Sequence, residues 1–277
     1  MVLRIASQPR ATDTVGAMSL TEDAPVRPVR RRAAVSPPGS ARRASPWWWL
    51  VLASSLVLLL AAAVMGVWWA ASSERREVRY RVIGTLSAIE LELDDADVEI
   101  VGGEAGPIQV VRTEEFAFGR PPRDEHGVQD GVLRISSSCP DAIVGTCRAS
   151  YRLLVRDNVQ VSVRSSTGRV RIAGLNGSAR IETGSGPIAV DGFCGFRLTA
   201  TSGSGDVRGA ADCSPDRMEL RSASGDVHAI VPTGRYRVDA NTDRGSVQVR
   251  NLIPSEDASF TVQAISGGGD VLVEGRG

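Results

Sequence analysis

The chain is 277 residues long, carries 32 basic and 32 acidic side chains, and contains no lysine. The balance hides an asymmetry: residues 1–46 hold eight arginines against three acids (+5), leaving 24 arginines and 29 acids (−5) for residues 72–277. That acidic part argues against nucleic acid as a partner, because phosphate neutralisation supplies most of such affinity, and four cysteines without a C-x-x-C give no support to structural zinc or thioredoxin-like chemistry.

Residues 1–46 read as a disordered, Arg/Pro-rich cytoplasmic tail. Six prolines, many Ser and Ala, and no aromatic residue before Trp47 leave too little apolar surface to offset the entropy of ordering. Its RPVRRRAA and SARRAS clusters suit anionic inner-leaflet lipid, or simply set topology.

Residues 47–71, WWWLVLASSLVLLLAAAVMGVWWAA, carry no charge. As an α-helix they rise about 37 Å, more than the hydrocarbon thickness of a bilayer. Trp47, Trp48 and Trp49 at one end and Trp68 and Trp69 at the other stand where the two interfacial aromatic belts belong. The stretch is therefore expected to be a single transmembrane anchor in contact with membrane lipid. A cleaved secretory signal is the rival reading, disfavoured by the length of the run and its start at residue 47. Either way residues 72–277 are exported. Six arginines shortly before the span against four shortly after it favour a cytoplasmic N-terminus and an extracytoplasmic C-terminal domain in the cell membrane. Ala62, Gly66 and Ala70, spaced four apart, offer a small-residue face for weak self-association.

After Ser73 apolar and polar residues alternate, as in IELEL (89–93), DVEIV (97–101), VLRI (132–135), YRLLV (151–155) and VQVSVR (159–164). A period of two predicts half-buried strands, and no stretch beyond the membrane shows a 3.6 period. All four cysteines lie here, an even number in an oxidising compartment, and two disulfides are expected. Three pairings are open; Cys139 with Cys147, and Cys194 with Cys213, are favoured, the second because 19 residues is close to one repeat. The stretch 114–131, EEFAFGRPPRDEHGVQDG, interrupts the alternation and reads as a loop.

From residue 165 to 275 the strands form an array. The anchor glycines Gly168, Gly186, Gly205, Gly225, Gly245 and Gly269 are separated by 18, 19, 20, 20 and 24 residues, the signature of stacked repeats. Each unit is strand, Ser-Gly turn, strand and connection, with glycine expected to supply a positive φ in the turn. Ile181, Leu198, Leu220, Val238 and Val262 before the turns, and Val170, Ile188, Val207, Val227, Val247, Val249, Val271 and Val273 after them, form the expected core. The sparse aromatics there suit a thin β-solenoid, an all-β, β-helix-like stack or its flattened, prism-like sandwich form, preceded by one transmembrane helix.

The turns SGSGDV, SASGDV and SGGGDV, with LDDADVEIVGGEAGPIQVVR earlier, resemble the DUF4097 adhesin-like family over about residues 78–275. The resemblance implies an elongated, repetitive β-fold on bacterial surfaces, often behind one membrane anchor, and brings no catalytic or binding residues to transfer. Arg169, Pro187 and Ser246 depart from the motif by replacing the Asp after the turn glycine.

The GSGD and GGGD turns also resemble calcium-binding β-rolls, but those repeat about every nine residues. Here only Asp206, Asp226 and Asp270 follow a turn glycine, with Asp270 two units beyond Asp226, so a turn-forming role is expected. An enzyme acting on polysaccharide would need paired carboxylates; Glu114, Glu115, Asp124 and Glu125, near His126, are the candidates, and tryptophan is absent outside the span. His228 is expected to face solvent. The sequence therefore predicts no catalytic, cofactor or metal site. It predicts a non-enzymatic surface binding or structural module with a cell-surface protein or glycan as ligand; the alternative is an accessory or sensor protein in envelope-stress or transmembrane signalling.

Overall fold

The computed structural model describes residues 47–103, 106–117, 120–140 and 147–277; the expected tail over residues 1–46 lies outside the described residues. Helix α1 (Trp47–Ala71) is the helix long and apolar enough to cross a membrane, with mean hydropathy 2.6 over Trp47–Trp68. It is apolar on every side, which distinguishes it from a helix with one buried stripe. The Trp48 and Trp49 rings lie 4.5 Å apart near its start, and a Cβ placed on Gly66 would meet open space.

Everything described after α1 is strand and turn. β1 (Ser73–Val82) is followed by a first coil, β2 (Ala88–Leu93) and β3 (Ala96–Gly103), and then by β4 (Ile108–Ala117) and β5 (Arg123–Gln129). Seven further coils follow: β6 (Val132–Ser138) with β7 (Cys147–Arg156), β8 (Gln160–Ser165) with β9 (Val170–Ala173), β10 (Ala179–Thr183) with β11 (Ile188–Phe193), and β12 (Arg197–Ser202) with β13 (Val207–Ala211). The last three are β14 (Arg217–Ser222) with β15 (Val227–Pro232), β16 (Arg235–Thr242) with β17 (Val247–Arg250), and β19 (Thr261–Ser266) with β20 (Val271–Arg276); the short β18 (Ile253–Pro254) lies between the last two.

Each coil contributes its first strand to one ten-stranded sheet and its second to another. Neighbouring coils are parallel and in register, so like positions stack: Ile181 beside Ala200, Ala200 beside Leu220, Leu220 beside Ala264. Alternate residues point between the sheets, where Val161, Ile172, Ile181, Val190, Leu198, Leu220, Val262 and Val273 are wholly buried. The expected all-β repeat architecture is thus present as a flattened, two-sheet stack. The stretch 114–131 differs from its reading as a loop: β4 runs on to Ala117 and β5 occupies 123–129. β5 and β6 form a hairpin through Asp130 and Gly131, at φ 52° and 75°, the positive values a two-residue hairpin loop requires.

The coils do not stack in chain order. β2 pairs with both β6 and β8, so the first coil sits inside the second. At the far end β19 pairs with β14 and β16, and β20 with β15 and β17, so the last coil sits inside the one before it. The order expected from sequence, unit upon successive unit, holds only between β8 and β15. At the near end antiparallel strands close the stack: β4 on β7, β1 on β4, and β5 on β6. At the far end β17 is an edge strand. Its Val247 and Val249, expected in the core, are 42% and 41% exposed, whereas the equivalent Val271 and Val273 are 1% and 0% exposed.

Candidate functional site

Three features distinguish the surface of this stack: a turn edge, two charged outer faces, and a buried ionic cluster in the near-end cap.

At the turn edge the six coils that carry an anchor glycine obey Ser/Thr-x-x-Gly. The hydroxyl oxygens of Ser165, Thr183, Ser202, Ser222, Thr242 and Ser266 accept the N–H of the glycine three residues on, at 2.8–3.2 Å. Four of these hydroxyls also donate to a glycine carbonyl of the adjoining coil: Ser202 to Gly186, Ser222 to Gly205, Ser266 to Gly225 and Thr242 to Gly269, at 2.8–3.0 Å. Ser202, Ser222 and Ser266 are buried, so each spends its donor and its acceptor on backbone. The sequence reading missed this ladder, although the constant three-residue spacing before each anchor glycine is its visible trace.

The anchor glycines serve a different end from the one expected. None has a positive φ; among glycines that conformation belongs to Gly84, Gly131, Gly174 and Gly192. A Cβ on Gly168, Gly186, Gly205, Gly225, Gly245 or Gly269 would instead lie 1.5–2.5 Å from a backbone oxygen of the adjoining coil. Glycine is required by the closeness of stacking.

The aspartates form a parallel rail. Asp206 Oδ1 accepts the backbone N–H of Asp226, Asp226 Oδ1 that of Asp270, and Asp270 Oδ1 that of Ser246, at 2.7–2.9 Å. Asp97 does the same for Arg169 at 2.8 Å. The transposed last coil corrects the expectation that Asp270 lies two units from Asp226: they are adjacent. Pro187 has no N–H, and the residue beneath it, Arg169, has no need to be an acceptor. The N–H and hydroxyl of Ser246 hold the Asp270 carboxyl below its ordinary range. These carboxylates satisfy backbone, and among the described residues no group of three or more His, Cys, Asp or Glu is arranged to hold a metal ion.

The outer faces carry cross-strand ion pairs. On one, Arg134 meets Glu90 at 2.9 Å, and Arg164 lies between Glu92 and Glu182 at 3.6 and 3.4 Å. On the other, Arg152 grips Glu99 with two hydrogen bonds of 2.9 and 3.0 Å, which hold the Glu99 carboxyl low, and Arg208 pairs with Asp191. His228, half-buried on this face, lies 3.0 Å from Glu274. Exposed pairs of this kind contribute roughly 0.2–1 kcal/mol each, so they shape the surface more than they stabilise it. Two open clefts indent the faces: one of about 590 Å³ bordered by Glu92, Ser136, Arg164 and Glu182, and one of about 580 Å³ bordered by Arg79, Glu99, Arg152 and Arg171.

The cap holds the acids singled out from sequence. Arg112 bridges Glu114 at 2.8 Å and Asp124, with side-chain exposures of 13%, 2% and 5%. Asp124 also accepts the Tyr151 hydroxyl at 2.7 Å and lies 3.0 Å from His126 Nδ1. Burial opposes ionisation of Asp124, yet its hydrogen bonds from Tyr151, Arg112 and His126 outweigh this and hold the carboxyl below its ordinary value. The Tyr80 ring stacks on His126 at 4.6 Å, and burial, reinforced by the Asp124 charge, pushes its phenol up to about 12. The cluster joins β1, β4 and β7 of one sheet to β5 of the other. Glu115 and Glu125 are not part of it; Glu115 pairs on the surface with Arg75 at 3.5 Å.

Cys139 and Cys147 are bridged with Cα atoms 5.9 Å apart, and Cys194 and Cys213 with Cα atoms 4.8 Å apart. The second pair joins the connections of two successive coils, after β11 and after β13.

This geometry defines a class: a two-sheet stack of parallel coils with a glycine-pinned turn edge and an antiparallel cap. Residues 155–271 match the family model described as Toastrack DUF4097. Among solved structures it is similar to a candidate cell adhesion protein from Clostridium sporogenes, at 13% identity over 73% of this chain and 100% of that one, with a TM-score of 0.45. It is also similar to a candidate adhesin from Bacteroides fragilis, at 12% identity over 73% and 97% of the two chains, with a TM-score of 0.43. No curated protein matches it.

Proposed function

We propose that the chain is a single-pass membrane protein that displays its Toastrack domain outside the cell as a non-enzymatic binding or structural module. The observation that carries this reading is the pair of continuous outer faces, on which charges repeat at strand spacing on a rigid, in-register stack. The polar groups with chemical potential are committed elsewhere: the turn hydroxyls and aspartates to backbone, and Glu114 and Asp124 to Arg112. Anchoring through α1, with the N-terminus cytoplasmic, rests on the length and apolarity of that helix and on the arginines before it. The ligand we infer is a cell-surface protein or glycan that reads the charged faces.

Full-length protein in lipid nanodiscs, assayed against intact cells and a glycan array, tests the reading. Saturable binding weakened by Arg152→Glu and Arg164→Glu is expected. Binding indifferent to these charge reversals would remove the faces as the recognition surface.

A further inference from the structure

The last coil occupies a slot that the rest of the chain must hold open. β19 lies between β14 and β16, and β20 between β15 and β17, with ladder hydrogen bonding on both sides. Val262, Ala264, Val271 and Val273 fill the interior there. The coil arrives by a six-residue crossover, Ser255–Phe260, because β18 and β19 pair with opposite edges of β16. Ser255 N–H donates to the Tyr236 carbonyl at 2.9 Å, and the Arg237 guanidinium clasps the Glu256 carbonyl with Nε at 2.9 Å.

Nothing in the slot depends on which copy of the chain supplies the coil. Its requirements are a Ser/Thr-x-x-Gly turn, an Asp after the glycine and small apolar residues facing inward, and residues 261–276 of any copy meet them. The closed and exchanged arrangements share the ladders on both sides of β19 and β20 and the buried contacts of Val262, Ala264, Val271 and Val273, and differ along the crossover. Exchange of an identical element between copies is a low-cost route to dimers.

We propose that Thr261–Arg276 is an exchangeable coil, and that the slot between β14/β15 and β16/β17 receives it from a second copy of the chain to give a reciprocal dimer. The Arg237 clasp on Glu256 is the latch that favours the closed form.

Glu219 and Gln263 are direct neighbours across β14 and β19 on the outer face. Two full-length copies with different tags, one carrying Glu219→Cys and the other Gln263→Cys, bring the introduced thiols together only when the coil has crossed between chains. On mild oxidation a covalent dimer carrying both tags is expected, severalfold above the level given by Thr199→Cys with Gln263→Cys, whose strands are two spacings apart and too distant to bridge. Arg237→Ala should raise the yield further. Both substitutions in one chain should bridge internally. A doubly tagged dimer no more abundant than the Thr199 control would overturn the proposal, and so would failure of the single-chain double variant to bridge, because the slot itself would then be absent.

Discussion

Asp270 accepts the backbone N–H of Ser246 at 2.7 Å, although Ser246 precedes it by 24 residues and its coil lies farther out in the stack. The rail therefore runs Asp206, Asp226, Asp270 and ends on Ser246, out of numerical order. Where a residue lies in the stack, not in the sequence, decides how buried it is.

Val273 and Val249 occupy aligned positions, the first wholly buried and the second 41% exposed. Val→Thr keeps the shape and adds a hydroxyl that has no partner in an apolar interior, at a cost of roughly 1–3 kcal/mol. Val273→Thr is expected to lower the thermal midpoint clearly and Val249→Thr to leave it nearly unchanged. Equal effects in melting curves would contradict the transposed order.

A Cβ on Gly225 would stand 2.5 Å from the Gly205 carbonyl oxygen, and that atom belongs to backbone that cannot swing aside. Gly225→Ala is expected to destabilise by about 1–3 kcal/mol or more, the range for overpacking. Gly127→Ala, where a Cβ meets open space, should be neutral in the same chemical denaturation series.

Ser222 links two coils from a buried position, accepting from the Gly225 N–H and donating to the Gly205 carbonyl. Ser222→Ala leaves both backbone groups short of a partner, costing about 1–3 kcal/mol for each one left unsatisfied. Amide hydrogen exchange should report the loss as faster exchange at Gly225.

The cap should respond to acid through Asp124. Its carboxyl titrates below the ordinary 3.8, so the unfolded chain takes up the proton at a higher pH than the folded one. The stabilisation is complete above the ordinary carboxyl range and is lost as pH falls through the lower, folded value. Melting curves should therefore show little contribution from this group to pH dependence near neutrality and a decline in strong acid, which Asp124→Asn flattens. Asp124→Ala leaves Arg112 paired with Glu114 alone and removes the acceptor of the Tyr151 hydroxyl, and is expected to cost about 1–3 kcal/mol at neutral pH. Glu115→Ala, on an exposed pair, should cost far less.

The alternation around Ile181, Leu198 and Leu220, together with the recurring glycines, was enough to read the stacked two-faced strands, because each of those signals is local. The order of the terminal coils was not legible, since 242–249 and 266–273 carry the same local code and both fit beside 222–227. The one trace is the 24-residue interval between Gly245 and Gly269, the extra length that carries the chain around β16. The ionic cluster was hidden for a related reason. Glu114 and Asp124 look like solvated loop charges until β1 and β4 close over them, and no local pattern announces that Arg112 lies between.

Both ends of the stack turn back on themselves while its middle is plainly repetitive. A coil copied between β8 and β15 would meet the same hydroxyl, glycine and aliphatic neighbours above and below as the original did. Adding or removing whole turns at the centre would leave both interleaved ends as they are, so the length of the domain is adjustable without redesigning either end.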